Sequence, residues 1–351
     1  MITIFTPSFA DEANTNAQNL TVKEVVSRLP PDQFKVILLT EGKADARILA
    51  RDNTEFLSSS RHGNTVRWLA RVLRPDIDVY FFPRAGPLDS LFLHCRRWGG
   101  LRVSLVTYIV MALEKGKHET VLSRAIREAD GVYGNSSYVS QTISEIFGVR
   151  ASTIYDGMRR DVFYPSMAAR VGSSLTVLYA GSFQARKRVD VVIREAAKWP
   201  GVAFRLAGKG EEEAKLRALV QELGCKNVTF IGHVSQEGIA EEMRRADVFL
   251  FPSILEGHPQ VLGQATACGL PSIAMKKYHP DYVVDGETGY LVESDNELSE
   301  KLALVLTDRE RRLRMSTAAA QHALQFDWDR IAHDWANAFV DAADRRRRSR
   351  R

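Results

Sequence analysis

Two clusters of side chains in this chain have the types and spacing to hold a phosphorylated ligand. In the first, an apolar run ends in Tyr179-Ala180-Gly181, and three consecutive cations, Arg186-Lys187-Arg188, open the helical segment that follows. Unbonded amides at a helix start, the positive end of its dipole and full cations together favour an anion. Standing alone, such a start also reads as a solvated face. In the second, an apolar run ends in Phe251-Pro252 and a loop presents Glu256-Gly257. A helix then begins near Pro259 and stops at Gly269, with Pro271 beyond. The amides around His258 to Leu262 can meet an anion. Glu256 before this helix and Gln264 more than a turn inside it can grip hydroxyls on either side of a diphosphate. The simpler alternative makes Glu256 a loop acid capping the helix.

The elements that must position these clusters are short apolar runs separated by helical spacing. Strands are expected at residues 2–6, 36–40, 79–82, 103–107, 132–133 and 153–155, and again at 175–179, 203–207, 228–231, 248–251, 272–275 and 289–292. Segments such as 189–199, 211–223 and 237–245 carry helical periodicity between them. Continuously apolar strands alternating with helices indicate parallel sheets covered on both faces, a doubly wound α/β architecture. The pattern breaks near 157–173 and restarts, giving two Rossmann-like halves. Glycine is skewed, with six before residue 131 and seventeen from there onward, so backbone approach to a ligand is expected in the second half. A stripe of Trp328, Ile331, Trp335 and Phe339 marks a terminal helix that needs a surface to dock on. Two such halves facing each other would share one cleft, the expected site.

Composition narrows the classes. With 351 residues, 45% hydrophobic and 26% charged, the chain has material for about two globular cores and is not disordered. Cys95, Cys225 and Cys268 are scattered, which excludes a disulfide framework and a thiolate zinc site. No basic leader precedes the first strand, and the apolar stretch 103–113 falls short of the ~20 residues that span a bilayer, so a cytoplasmic protein is expected. The net charge of +5 is local. Six of the last seven residues are arginine, and removing them from the 48 basic residues leaves 42 against 43 acidic. That run, 345–351, reads as a disordered tail, and its functional reading is peripheral attraction to an anionic membrane. No basic surface interleaved with aromatics supports nucleic-acid binding.

The stretch from about 175 to 292 resembles the donor domain of the retaining glycosyltransferases of family 4, which have the GT-B fold. The resemblance rests on YAGSFQARKRVD, on FRLAGKGEEEAKLRALVQELGCKNVTFIGHV, on ADVFLFPSILEGHPQVLGQATACGLPSI and on VVDGETGYLV. Upstream, ADGVYGNSSYVSQTI and STIYDGMRRDVFYP are similar to the last N-domain strand and the interdomain linker. The likeness covers about 129–293 and fades before that. It implies an N-terminal acceptor-side domain over 1–160, a nucleotide-sugar donor domain over 161–325, and a terminal helix over 326–344 crossing back to the first domain. It implies that Arg186 and Lys187 bind the diphosphate and stabilise it as leaving group, and that Glu256 is the first acid of E-x7-E, against the donor sugar. The loop Gly257, His258, Pro259, Gln260, Val261 and Leu262 would hold sugar and phosphate through its backbone. Gly208-Lys209-Gly210 and Gly232-His233-Val234 would flank the base.

Three departures stand against that pattern. Gln264 occupies the position of the second motif acid, which loses charge-assisted strength and is worth roughly 1 kcal/mol, or several-fold in donor affinity. Ser182 stands where many members carry Arg. The first loop, 7–19, lacks the family's glycines, and Tyr108-Ile109 stands where a pocket histidine is common; His94 and His118 lie elsewhere and read as structural. Asp76-Ile77-Asp78 and Asp327-Trp328-Asp329 fit a metal-binding Asp-x-Asp, but the first reads as a strand start and the second as a helix start. The cation pair makes a metal and any further cofactor unnecessary. The expected function is transfer of a sugar from a UDP- or GDP-type sugar to an acceptor hydroxyl on a lipid-linked molecule, a glycan or a small molecule, with retention. The alternatives are a non-catalytic sugar-nucleotide-binding protein and a sugar-nucleotide epimerase of the same fold.

Overall fold

The computed structural model describes residues 1–12, 17–58, 70–71, 74–81, 87–98, 103–110, 121–166 and 174–348. His118, residues 13–16 of the first loop, 167–173 of the junction and 349–351 of the basic run lie outside them. The chain divides into two compact units, Met1–Gly157 with Trp328–Arg351, and Met158–Asp327.

In the first unit the described elements are β1 (Ile2–Phe9), α1 (Ala17–Arg28), β2 (Phe34–Thr40), α2 (Ala46–Leu49), β3 (Thr54–Ser58), β4 (Val79–Phe81), α3 (Pro87–Trp98), β5 (Ser104–Ile109), α4 (Val121–Glu128), β6 (Gly131–Gly134), α5 (Ser137–Phe147) and β7 (Ser152–Thr153). They form a parallel sheet of order β3-β2-β1-β4-β5-β6-β7. The strand β3 was not expected. It is an edge strand whose residues are only half-buried and include Glu55, paired with Arg71 at 2.7 Å and Lys35 at 2.9 Å. An edge of this kind carries no apolar run for a sequence pattern to detect.

The second unit contains β8 (Thr176–Ala180), a 3-10 turn (Ala185–Lys187), α6 (Val189–Lys198), β9 (Ala203–Ala207), α7 (Glu213–Glu222), β10 (Val228–Gly232), α8 (Gln236–Arg245), β11 (Val248–Phe251), α9 (Gln260–Ala267), β12 (Ser272–Met275), β13 (Gly289–Val292), α10 (Asp295–Thr307) and α11 (Arg309–His322). Its sheet is parallel with order β10-β9-β8-β11-β12-β13, so the winding reverses between β8 and β11. In open α/β sheets such a reversal leaves a crevice outside the carboxyl ends of the two strands. Every residue of β11 is buried, which is what a central strand covered on both faces requires.

The helix α12 (Trp328–Arg348) follows the second unit in sequence but completes the core of the first. Trp335 is fully buried, with its ring 4.7 Å from that of Phe81, 4.9 Å from Tyr108, 5.4 Å from Tyr133 and 5.5 Å from Phe339. The helix runs through Arg348, so the tail expected from residue 345 is helical over its first four residues. A docked helix extends outward readily, because arginine is a good helix former and the nucleus already exists. At the carboxyl ends of β5 and β6, the buried Asp156 accepts from Thr21 Oγ1 at 3.1 Å, Tyr108 OH at 2.9 Å and Asn135 Nδ2 at 2.9 Å.

Gly157, the residue after Asp156, has no room for a side chain. A Cβ there would lie 2.4 Å from the Trp328 indole, whereas one on Gly201 would meet nothing within 4 Å. Gly157→Ala should therefore cost about 1–3 kcal/mol by overpacking, with Gly201→Ala within about 0.5 kcal/mol of the parent. Urea unfolding followed by tryptophan fluorescence reads both.

Candidate active site

The two clusters singled out in the sequence meet at the reversal of the second sheet. Arg186 and Lys187 lie in the turn after β8, and Glu256 lies in the loop after β11, its neighbour in register (Val248 opposite Val177, Phe249 opposite Leu178). Glu256 Oε1 accepts from Lys187 Nζ at 2.5 Å, from Ser253 Oγ at 2.5 Å and from Arg186 Nη1 at 3.1 Å. The backbone stitches the same loops: Ile254 N donates to Arg186 O at 3.1 Å, and Arg186 Nη1 donates to Leu255 O at 2.8 Å. Among the described residues Glu256 Oε2 has no hydrogen-bond partner.

Lys187 is buried, with its ammonium 5.1 Å from the Phe251 ring centroid. Burial pulls its pKa below the ordinary lysine value; Glu256 opposes that shift and the neighbouring Arg186 charge adds to it. Arg186 is the more exposed of the pair, at 41% of its side chain against 11% for Lys187. Arg188, the third cation, is drawn elsewhere. It adopts a left-handed conformation (φ 53°) at the start of α6 and pairs with Asp295 at 2.6 Å.

Sequence reasoning missed four neighbours of this group. Ser253, three residues before Glu256, is a hydroxyl in the same loop. Phe251 supplies a ring face to Lys187. Tyr179, whose OH donates to Ser182 O at 3.1 Å, and Tyr278 are both pushed up by burial, with the Glu256 charge reinforcing the shift. The Tyr278 hydroxyl is buried and has no hydrogen-bond partner among the described residues. The position of Ser253 beside a motif acid was the one signal available; aromatic residues at strand ends look like any other core.

The helix start after Glu256 is narrower than its sequence suggested. Leu262 N donates to Pro259 O at 2.9 Å, and Pro259 has no N–H. Among the described residues the amides of Gly257, Gln260 and Val261 carry no intramolecular hydrogen bond, so the available donors lie before the first full turn. His258 contributes no exposed side chain. Its ring is buried and stacked 3.8 Å from the Tyr282 ring, and burial pushes its pKa down to about 3. Gln264 is half-buried in the second turn of α9.

The remaining sequence candidates sit together at the neighbouring strand ends. Ser182 is exposed after β8, Gly208 and Lys209 follow β9, and His233 and Val234 follow β10. Main-chain bonds continue past the strands: Gly181 N to Ala207 O at 3.0 Å, Gly208 N to Gly232 O at 2.8 Å, and Phe183 N to Lys209 O at 2.9 Å. Gly208 has φ 141°, and a Cβ on it would lie 1.9 Å from Gly181 O, so only glycine lets these loops close. His94 lies on α3, bonded to Ser90 O at 2.9 Å. The acids of the two Asp-x-Asp sequences have structural partners: Asp76 pairs with Arg71 at 2.9 Å, Asp78 caps Thr3 N at 3.0 Å, Asp327 faces Arg160 at 3.9 Å and Asp329 pairs with Arg28 at 2.8 Å.

Residues 168–322 match the family model for glycosyl transferases group 1. An uncharacterized glycosyltransferase of Methanocaldococcus jannaschii is 26% identical over 63% of this chain and 62% of its own length. The D-inositol 3-phosphate glycosyltransferase of Mycolicibacterium smegmatis is 32% identical over 62% of this chain and 55% of its own. The chain thus spans less than two thirds of these relatives. Among solved structures, sucrose-phosphate synthase from Thermosynechococcus elongatus superposes with a TM-score of 0.76 at 19% identity, covering 97% of this chain and 98% of that one. Anabaena HepE in complex with UDP does so at 0.77 and 17%, covering 97% and 100%. The fold is GT-B.

The buried His258 gives the protein an acid-sensitive core. Between the ordinary 6.5 and about 3 the unfolded chain binds a proton there that the native state does not. Its contribution is therefore complete above pH 6.5 and is lost as pH falls toward 3, at up to about 1.4 kcal/mol per pH unit. His258→Phe, which keeps the stack on Tyr282, should flatten the fall of melting temperature with pH across that window.

Proposed function

We propose that this chain is a retaining glycosyltransferase that moves a hexosyl-type group from a nucleoside diphosphate sugar to an acceptor hydroxyl. The observation that carries the reading is the set of cations at Glu256: one carboxylate oxygen holds Lys187 and Arg186 beside an open helix start, while its other oxygen is left to accept from a ligand. Negative charge grows on the diphosphate as the glycosidic bond breaks. Lys187, Arg186 and the amides of Gly257, Gln260 and Val261 stabilise that charge, and Glu256 Oε2 accepts from a sugar hydroxyl and fixes the ring. Lys209 and His233, exposed after β9 and β10, face the base, and Gln264 reaches the ribose hydroxyls. The acceptor oxygen attacks on the face that the diphosphate leaves, and its proton passes to the departing phosphate oxygen. The HepE complexes with UDP and UDP-glucose support a uridine nucleotide as the first donor to try. The cation pair neutralises the leaving group, so the proposed reaction needs no metal and no further cofactor.

A thermal-shift screen of UDP, GDP, ADP and their sugars tests the reading. One nucleotide series should raise the melting temperature in a concentration-dependent way, and no shift with any of them would overturn it. With the preferred donor, Lys187→Ala should lower kcat/KM about ten- to a hundredfold, the value of one charge-assisted hydrogen bond. Activity should survive dialysis against EDTA. Gln264→Glu should tighten the nucleotide several-fold, read as a lower Kd by calorimetry.

A further inference from the structure

The loop that carries Glu256 lies between the loops after β8 and β12, because both strands pair with β11 (Phe249 opposite Leu178, Phe251 opposite Ala274). The two sides are unequal. From the β8 side come Lys187 and Arg186, which donate to Glu256 Oε1. The β12 side brings the 3-10 turn Lys276–Tyr278, in which Lys276 and Lys277 are exposed and Tyr278 is buried. His279 N closes this turn by donating to Lys276 O at 2.8 Å, and His279 takes a left-handed conformation (φ 41°) that a non-glycine residue adopts at a cost. Lys276 also pairs with Glu293 at 3.2 Å. The turn so held keeps the Tyr278 ring inside, with its hydroxyl lacking a hydrogen-bond partner among the described residues.

A buried hydroxyl without a partner destabilises the native state, and phenylalanine would fill the same space without that cost. Tyr278 is only 2% exposed and its oxygen is sealed from water, so the acceptor it lacks must be a protein group rather than a ligand. Glu256 is the charge that acts on it, and with burial it keeps the phenol protonated and able to donate. On the glycosyl-transfer reading above, a bound diphosphate engages Lys187 and Arg186, which removes two of the three donors from Glu256 Oε1. We propose that Tyr278 is a positioning residue whose hydroxyl then donates to Glu256 Oε1 and holds the carboxylate against the donor sugar. Oε2 is left for the sugar hydroxyl. The unpartnered phenol is thus kept for the loaded state of the site.

Tyr278→Phe tests this, since it keeps the ring and removes only the hydroxyl. Calorimetry with UDP, GDP and ADP identifies the nucleotide that binds, and its release from glucosyl, galactosyl and mannosyl conjugates gives kcat and KM. The variant should melt at or above the parental temperature and bind the nucleotide with a Kd within about twofold of the parent. Its kcat should fall about ten- to a hundredfold with little change in KM, the loss of one hydrogen bond to a charged group that matters during the reaction. A parental kcat overturns the proposal, because a residue that only fills the core does not need its hydroxyl. A lower kcat with a lower melting temperature and weaker nucleotide binding also overturns it, as a packing defect. Either result leaves the glycosyl-transfer reading standing. A parent that binds none of the three nucleotides, or releases none from its conjugates, removes that reading and this inference with it.

Discussion

The contact between Lys187 and Glu256 is the constraint around which the second unit is arranged. An ammonium and a carboxylate withdrawn from water each cost several kcal/mol, and their attraction repays this only with close geometry and further hydrogen bonds. The two residues are 69 apart in sequence, so neither loop can meet that condition by itself. Adjacent parallel strands bring their ends side by side, and the reversal of winding frees the space between the loops that leave them. Ser253 Oγ then donates to the same Glu256 oxygen at 2.5 Å, and the Phe251 ring centroid lies 5.1 Å from the ammonium. Both cations and the Ser253 hydroxyl gather on one carboxylate oxygen, and the side chains of Lys187 and Glu256 are each about nine-tenths buried.

Much of this could be read from the residues. The cations after one strand and the acid after another could be placed because each follows an apolar run that ends in a loop, and the structure brings them together. The parallel sheets were legible because their central strands are apolar on both faces. What escaped shares a physical cause. Strand β3 lies at an edge and is only half-buried, so its alternation is broken by Glu55, whose place is set by Arg71 and Lys35. Ser253, Tyr179 and Tyr278 gain their significance from a partner far away in sequence, which no local pattern encodes. The helix through Arg348 is masked by the like charge of its last residues, whereas its conformation is inherited from the docked turns before it.

The same logic explains why Leu262 and His258 differ from their neighbours in the loop after Glu256. A helix start offers amides only until its own first hydrogen bond closes, and here Pro259 closes it at Leu262. His258 is turned inward and becomes part of the stack with Tyr282 and Phe326 that seats the loop. The segment therefore differs residue by residue: the amides of Gly257, Gln260 and Val261 carry no intramolecular hydrogen bond among the described residues, while the side chain of His258 packs into the core.

The placement of α12 has a consequence for how the polypeptide acquires its structure. Met158–Asp327 contains all the strands and helices of its own core and can close as soon as it is synthesised. The first unit cannot, because Trp328, Ile331, Trp335 and Phe339 fill the face of a sheet whose strands were made some 170 residues or more earlier. Until that helix arrives, Phe34, Phe81 and Tyr108 lack the rings of Trp335 and Phe339 against which they pack. The order of assembly is thus the reverse of the order of synthesis, and the amino-terminal sheet is the part of the nascent chain with most to gain from a chaperone.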